Sequence, residues 1–160
     1  MQNPVASTQG TVSLTSCTVT TVSAYSGSGT GAGGAFYLDT VRLSLFQLDT
    51  VTITGASAEL NGGVIYVGRM PGQIVIRTSS FTDFIVDKDH YGSFLYSGFE
   101  TAVTIKVSIS TFTCSSTATA ALAAAAILAS TATRAGAFYV KGSVPGVTSI
   151  GNTFTSCVQC

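Results

Sequence analysis

The chain has 160 residues, a formal net charge of +0 from 7 basic and 7 acidic side chains, and only 9% charged residues. That length holds one domain, residues 1–160, with a continuous core. The missing basic patch argues against nucleic acid as a partner, because nothing would displace counterions from phosphates. So few charges also leave little repulsion between copies, which suits a protein that lives in an assembly.

Ser (20) and Thr (24) supply 44 of the 160 residues, Gly supplies 17, and Trp is absent. Thr with Val, Ile, Phe and Tyr fits pleated strands, and Gly with Ser fits the turns between them. The opening Met1-Gln2-Asn3-Pro4 is polar, without the charged and then apolar run of a secretory leader. The expectation is that a leader has been removed or that the chain is a segment of something longer. The longest apolar run, Ala120 to Ala129, is ten residues against the ~20 needed to cross a bilayer, so no membrane span is expected. No Asn-x-Ser/Thr acceptor occurs.

Taken in order, the chain alternates two motifs. A Thr-x-Thr motif appears as Thr18-Val19-Thr20, Thr50-Val51-Thr52-Ile53-Thr54 (centred on Val51), Ser80-Phe81-Thr82, Thr111-Phe112-Thr113 and Thr153-Phe154-Thr155. Between its copies lie Gly33-Gly34-Ala35-Phe36-Tyr37, Gly62-Gly63-Val64-Ile65-Tyr66, Gly92-Ser93-Phe94-Leu95-Tyr96 and Ala135-Gly136-Ala137-Phe138-Tyr139. Counted on Gly34, Gly63, Gly92 and Gly136, the second motif recurs at steps of 29, 29 and 44 residues. The first has steps of 32, 30, 31 and 42 between its apolar centres, so both share one period and one enlarged interval. A period of roughly 20–50 residues marks stacked units that bury their apolar faces only against neighbours.

Alternating apolar residues follow each Gly motif: Leu43, Leu45 and Leu48, then Ile74 and Ile76, then Val103, Ile105 and Val107. Pro71-Gly72 and Pro145-Gly146 add turn signals. Each unit reads as three strands and three turns. The predicted fold is all-β: a right-handed parallel β-helix, or solenoid, of about four to five rungs. The enlarged interval coincides with an Ala-rich insertion, residues 117–133, whose composition favours a short helix over a plain loop. As a helix, its Leu122, Ile127 and Leu128 would need a cover, for which a neighbouring subunit is one candidate.

Gly-Gly-Ala-Phe-Tyr, with Ser-Thr-Phe-Thr upstream, resembles the Gly-Gly-Ala-Ile-Tyr repeats of polymorphic outer-membrane-type and other pectin-lyase-like β-helix surface proteins. The resemblance covers nearly the whole chain and implies the fold. Members of that group serve as adhesins, surface coats and, in a separate branch, polysaccharide-cleaving enzymes. Stacked Asn is frequent in their turns and sparse here.

Several features are candidates for function. If Phe36, Leu38, Ile65, Val67, Phe94, Phe138 and Val140 point inward, then Tyr37, Tyr66, Leu95 and Tyr139 form an outward stripe. The stripe is able to meet sugar rings or a second subunit, or to pack under loops. The Thr rows (Thr18, Thr20, Thr50, Thr52, Ser80, Thr82, Thr111, Thr113, Thr153 and Thr155) direct hydroxyls outward. They read as ordinary exposed strand positions, as an ice-binding array, or as bearers of O-linked sugars. Asp83, Asp87, Lys88, Asp89 and His90 concentrate charge, but lack the offsets of a calcium loop and read as a solvated turn. No metal site or cofactor is expected. Carboxylates are scattered about one per turn and the single His has no nucleophile at a recognisable spacing, so no catalytic residues and no enzyme are expected.

The cysteines are read by rung. Cys114 and Cys157 fall in adjacent rungs, within disulfide reach at about 4.8 Å per rung. Cys17 lies three rungs from Cys114, about 14 Å by the same spacing, and is free or pairs with another subunit, Cys160 being the natural partner. Disulfides place the protein outside a reducing cytosol. Both ends carry the strand motif and neither reads as a cap. The expected function is an extracellular or cell-surface structural protein, a subunit of a filament built by head-to-tail stacking. The alternatives are a surface adhesin or glycan-binding segment of a longer protein, and a Thr-ladder ice-binding protein.

Overall fold

A computed structural model describes residues 10–25, 31–40, 42–70, 72–86, 92–97, 103–114, 137–140 and 146–155, apart from the side chains of Cys114 and Val140. The first coil consists of β1 (Gly10–Thr15), β2 (Thr18–Ala24) and β3 (Phe36–Leu38), and the second of β4 (Leu43–Asp49), β5 (Thr52–Ala58) and β6 (Ile65–Val67). The third runs through β7 (Gln73–Arg77), β8 (Ser80–Val86) and β9 (Leu95–Ser97), and the fourth through β10 (Thr104–Ser108), β11 (Thr111–Cys114) and β12 (Phe138–Val140). β13 (Gly146–Ile150) and β14 (Thr153–Thr155) begin a fifth. Three sheets result, ordered β1-β4-β7-β10-β13, β14-β11-β8-β5-β2 and β12-β9-β6-β3, and every pairing is parallel. The fold is a parallel β-helix. The Ala-rich insertion of residues 117–133 lies outside the described residues.

Parallel stacking puts each residue over its counterpart one coil away, so the core is a set of columns. In the first sheet Val12, Phe46, Ile74, Ile105 and Val147 form one column, and Leu14, Leu48, Ile76, Val107 and Ser149 the next. In the second sheet Val19, Ile53, Phe81, Phe112 and Phe154 align. The three phenylalanines of that column lie flat on one another, Phe81 on Phe112 at 5.2 Å and Phe112 on Phe154 at 4.9 Å. Phe94, from the third sheet's side, meets Phe81 and Phe112 edge-on at 4.6 and 4.8 Å. Such edge-to-face pairs add to the gain from burial alone.

The corners explain why the chain turns where it does. Between the first and second sheets each turn has two residues, and its first residue adopts positive φ in every coil: Ser16, Thr50, Thr78, Ile109 and Gly151, at 47–63°. For Thr and Ile that conformation is strained by about 1–2 kcal/mol. It persists because the surroundings determine it. The amides of the first four donate to the coil beyond: Ser16 to Asp49 O, Thr50 to Arg77 O, Thr78 to Ser108 O and Ile109 to Ile150 O, all at 3.0–3.1 Å. The second turn residue points inward. Ser79 Oγ accepts from Val51 N (3.1 Å), Ser110 Oγ from Ser79 N (3.2 Å) and Asn152 Oδ1 from Ser110 N (2.9 Å). Each serine hydroxyl donates in turn to a carbonyl two residues back. A Ser-Ser-Asn column thus satisfies buried main-chain donors along this edge.

At the entry to the third sheet Gly33, Gly62 and Gly92 adopt φ of 62–67°. A Cβ on the following Gly63 would lie 2.2 Å from Ser93 O and 2.6 Å from Ile85 O, so the backbones meet there without side chains. Where Leu38 and Val67 point inward, the third coil carries Ser97, fully buried, its Oγ without a hydrogen-bond partner among the described residues.

Two stability measurements follow. Phe112→Ala removes a ring held on three sides and should lower unfolding free energy by about 3–5 kcal/mol in urea titrations. Ser97→Ala removes a buried unpartnered hydroxyl and should raise stability by about 1 kcal/mol, seen as an upward shift of the midpoint.

Candidate functional site

The third sheet presents its tyrosines outward. Tyr37, Tyr66, Tyr96 and Tyr139 occupy one column. Neighbouring rings lie 4.9, 5.4 and 5.1 Å apart with interplanar angles of 7°, 13° and 5°. The outward residue of the third coil is therefore Tyr96, not Leu95, which is fully buried opposite Ile65. The reason is a slip of one residue. Gly92 corresponds to the positive-φ Gly62, and Ser93 stands where the other coils have Gly34 and Gly63. Counting Gly92 as the second glycine moves the strand by one position and exchanges its faces. Aligning the motifs on Tyr finds Tyr96 directly. Phe94 remains inward, above Val64 rather than Ile65.

Ring-on-ring stacking covers the faces of the inner tyrosines, so the stripe offers ring edges and hydroxyls along most of its length. Tyr37 is the exception: one face lies on Tyr66, yet 58% of the residue is exposed. The Tyr66 hydroxyl ionises above the ordinary tyrosine range, first because it is partly buried and then because Tyr37, Tyr96 and Asp39 disfavour a further negative charge.

Beside Tyr37 and Tyr66, Asp39, Gly68 and Arg69 complete a surface groove of about 360 Å³. Asp39 and Arg69 sit on adjacent coils. Arg69 Nε and its main-chain N donate to Asp39 Oδ1 at 2.8 and 3.0 Å, and Nη2 donates to Oδ2 at 3.3 Å. Gly68 admits this arrangement, since a Cβ there would fall 2.8 Å from the same carboxylate oxygen. Hydrogen bonds from the Arg69 side chain hold the Asp39 carboxyl below the usual aspartate range, against the upward push of burial, and Asp39 raises the Arg69 guanidinium. The sequence signal for this pair was opposite charge at one repeat's separation.

The second sheet carries the Thr rows, with one correction. Thr50 is the positive-φ turn residue, and Thr54 takes its place. Thr50 to Thr54 contains two overlapping Thr-x-Thr frames, and the two-residue corner selects the second, with Ile53 inward and Val51 buried in the turn. One row is Thr18, Thr52, Ser80, Thr111 and Thr153; the other is Thr20, Thr54, Thr82, Thr113 and Thr155. The Thr54 and Thr82 hydroxyls are 3.0 Å apart. Parallel-strand geometry spaces the grid at about 4.8 Å across strands and about 6.7 Å along them.

Cys17 is the inward turn residue of the first coil, half-buried against the core and without a disulfide. Cys114 ends β11 opposite Phe84. Cys157 and Cys160, and with them the Cys114–Cys157 and Cys17–Cys160 pairings, lie outside the described residues, as do Asp87, Lys88, Asp89 and His90. Asp83 is described: it is an exposed positive-φ residue at a bend within β8. Among the described residues no three His, Cys, Asp or Glu side chains cluster, and no helix is long and apolar enough to cross a membrane.

No protein-family model matches the chain, and neither a curated protein nor a solved structure matches it significantly. The repeat resemblance is thus supported at the level of an all-strand, parallel-sheet architecture.

The ion pair has a pH signature. A lowered aspartate pKa contributes stability that is present above the ordinary aspartate value and is lost as pH falls through the lowered one. Between pH 7 and 5 the pair should stay intact. The Asp39 carboxyl resonance should titrate below the usual ~3.9, and Arg69→Met should move it upward. An unmoved midpoint would contradict the assigned cause.

Proposed function

We propose that the chain is a non-catalytic structural protein, the subunit of an extracellular filament in which β-helices stack head to tail on further copies of themselves. The observation that carries this reading is that interior columns run out at exposed residues at both ends. Val12 and Val147 belong to the column whose middle members Phe46, Ile74 and Ile105 are buried, yet they are 43% and 54% exposed. Phe154 continues the buried Phe81–Phe112 stack and is 46% exposed. Among the described residues, β1 and β2 at one end and β13 and β14 at the other pair on one side only. Open parallel edges recruit strands. A second copy placed in the same register sets Val12 against Val147 and Val19 against Phe154, each an apolar partner in a column already apolar. The +0 net charge supplies no opposing field. Location outside the cytosol belongs to the same proposal and rests on the four cysteines and the hydroxyl-rich exterior, which also offers acceptors for O-linked sugars.

The Thr grid favours a second reading, an ice-binding face: nine of its ten positions are Thr, stacked in two parallel rows across five strands.

Negative-stain microscopy, with and without reductant, should show rods longer than one chain. Phe154→Asp or Val12→Asp should return them to monomers while the circular dichroism spectrum is kept, and monomers alone from the unaltered chain would defeat the filament reading. Thermal hysteresis that disappears in Thr52→Tyr would establish the ice-binding face, and its absence from the unaltered chain would remove it.

A further inference from the structure

We infer that the groove formed by Tyr37, Asp39, Tyr66, Gly68 and Arg69 is a binding site for a neutral pyranose, the terminal or branch sugar of a glycan. Its volume of about 360 Å³ lies within the range of small-ligand sites, roughly 300–1,000 Å³. The chemistry follows from which donors and acceptors the ion pair leaves over. A guanidinium has five N–H donors. Asp39 takes two of them, through Nε and Nη2, so three remain on a side chain that is 66% exposed. Asp39 Oδ1 already accepts two hydrogen bonds, whereas Oδ2 accepts one and keeps acceptor capacity. Donor and acceptor therefore stand side by side in a fixed fork. Adjacent sugar hydroxyls, each able to donate and accept, match that fork.

Charge narrows the ligand class. The carboxylate neutralises the guanidinium at hydrogen-bond distance, so the groove has no net charge to attract a phosphate, a sulfate or a metal cation. A nonpolar surface is also required, and the tyrosines provide it: the edges of Tyr37 and Tyr66 line the groove, and the half-exposed Tyr37 adds area for the C–H face of a sugar ring. Apolar ring edges beside a fixed polar fork suit a ligand with one apolar face and a hydroxyl rim. The site is rigid. Both tyrosines are held by ring stacking at 4.9 Å on paired strands, and Asp39 is anchored to a main-chain N–H as well as to the side chain. Preorganisation of this kind keeps the ordering cost of binding low. The inference is independent of filament assembly, because the groove lies on the lateral face of the first two coils.

The test is saturation-transfer difference NMR on the full chain with methyl glycosides of glucose, galactose, mannose and N-acetylglucosamine, alongside glucuronic acid and N-acetylneuraminic acid. At least one neutral pyranose should receive transfer, with the acids weaker. Shift titrations should show affinity falling about tenfold or more in Tyr37→Ser and in Arg69→Met. Arg69→Lys keeps the charge but loses the fork, and should be weakened similarly. Circular dichroism on each variant confirms folding. Absence of transfer to every neutral sugar, preference for the acids, or wild-type affinity in folded Arg69→Met and Arg69→Lys would overturn the proposal.

Discussion

Everything in this molecule depends on main-chain hydrogen bonding between successive coils. Once the amides of one coil donate to the carbonyls of the next, each residue is placed over a fixed counterpart about 4.8 Å away. A residue suited to a position in one coil must then tolerate its own kind above and below. The corner between the first two sheets shows the force of this constraint. Thr50, Thr78 and Ile109 accept a backbone conformation that disfavours them because neighbouring coils bond to them on that geometry. The next residue inward then becomes a column of its own, Ser79, Ser110 and Asn152, in which each side chain accepts the main-chain proton of the coil before it.

The same constraint converts single residues into continuous surfaces. One Tyr per coil becomes a stack of four, and two hydroxyl residues per strand become a grid of ten positions. One Phe in each of three coils becomes a pile of rings, buried at Phe81 and Phe112 and exposed at Phe154. Function is read from such surfaces. The exposed ends of apolar columns underlie the proposed assembly, the Thr grid the alternative ice-binding reading, and the Asp39–Arg69 pair the proposed ligand site. Among the described residues that ion pair occurs once, whereas the rows repeat from coil to coil.

The architecture was legible in the sequence because Gly, an aromatic pair and Thr-x-Thr each mark a fixed place in the coil, so two motifs with one period imply stacking. The register of individual rows was less so. Gly92-Ser93 has one glycine where Gly33-Gly34 and Gly62-Gly63 have two, and matching Gly92 to Gly34 and Gly63 sent Leu95 outward in place of Tyr96. Thr50 to Thr54 offered two frames, and only the two-residue corner distinguishes them. The turn column was hidden because Ser is common throughout the chain, and its role appears only when Ser79 and Ser110 are seen in successive coils. The Asp39–Arg69 pair was hidden for a related reason: its members are 30 positions apart and meet only through stacking.

Register is therefore the central claim, and disulfide trapping tests it most directly. In a background with Cys17, Cys114, Cys157 and Cys160 replaced by Ser, Tyr66→Cys is combined either with Tyr96→Cys or with Leu95→Cys. Residues paired on adjacent coils lie inside the Cα separation that a disulfide requires, about 4.4–6.8 Å, but only side chains on the same face are able to join. The account predicts rapid oxidation of the 66–96 pair and little of the 66–95 pair, read by mass spectrometry of the monomer. Preferential closure of 66–95 would contradict it.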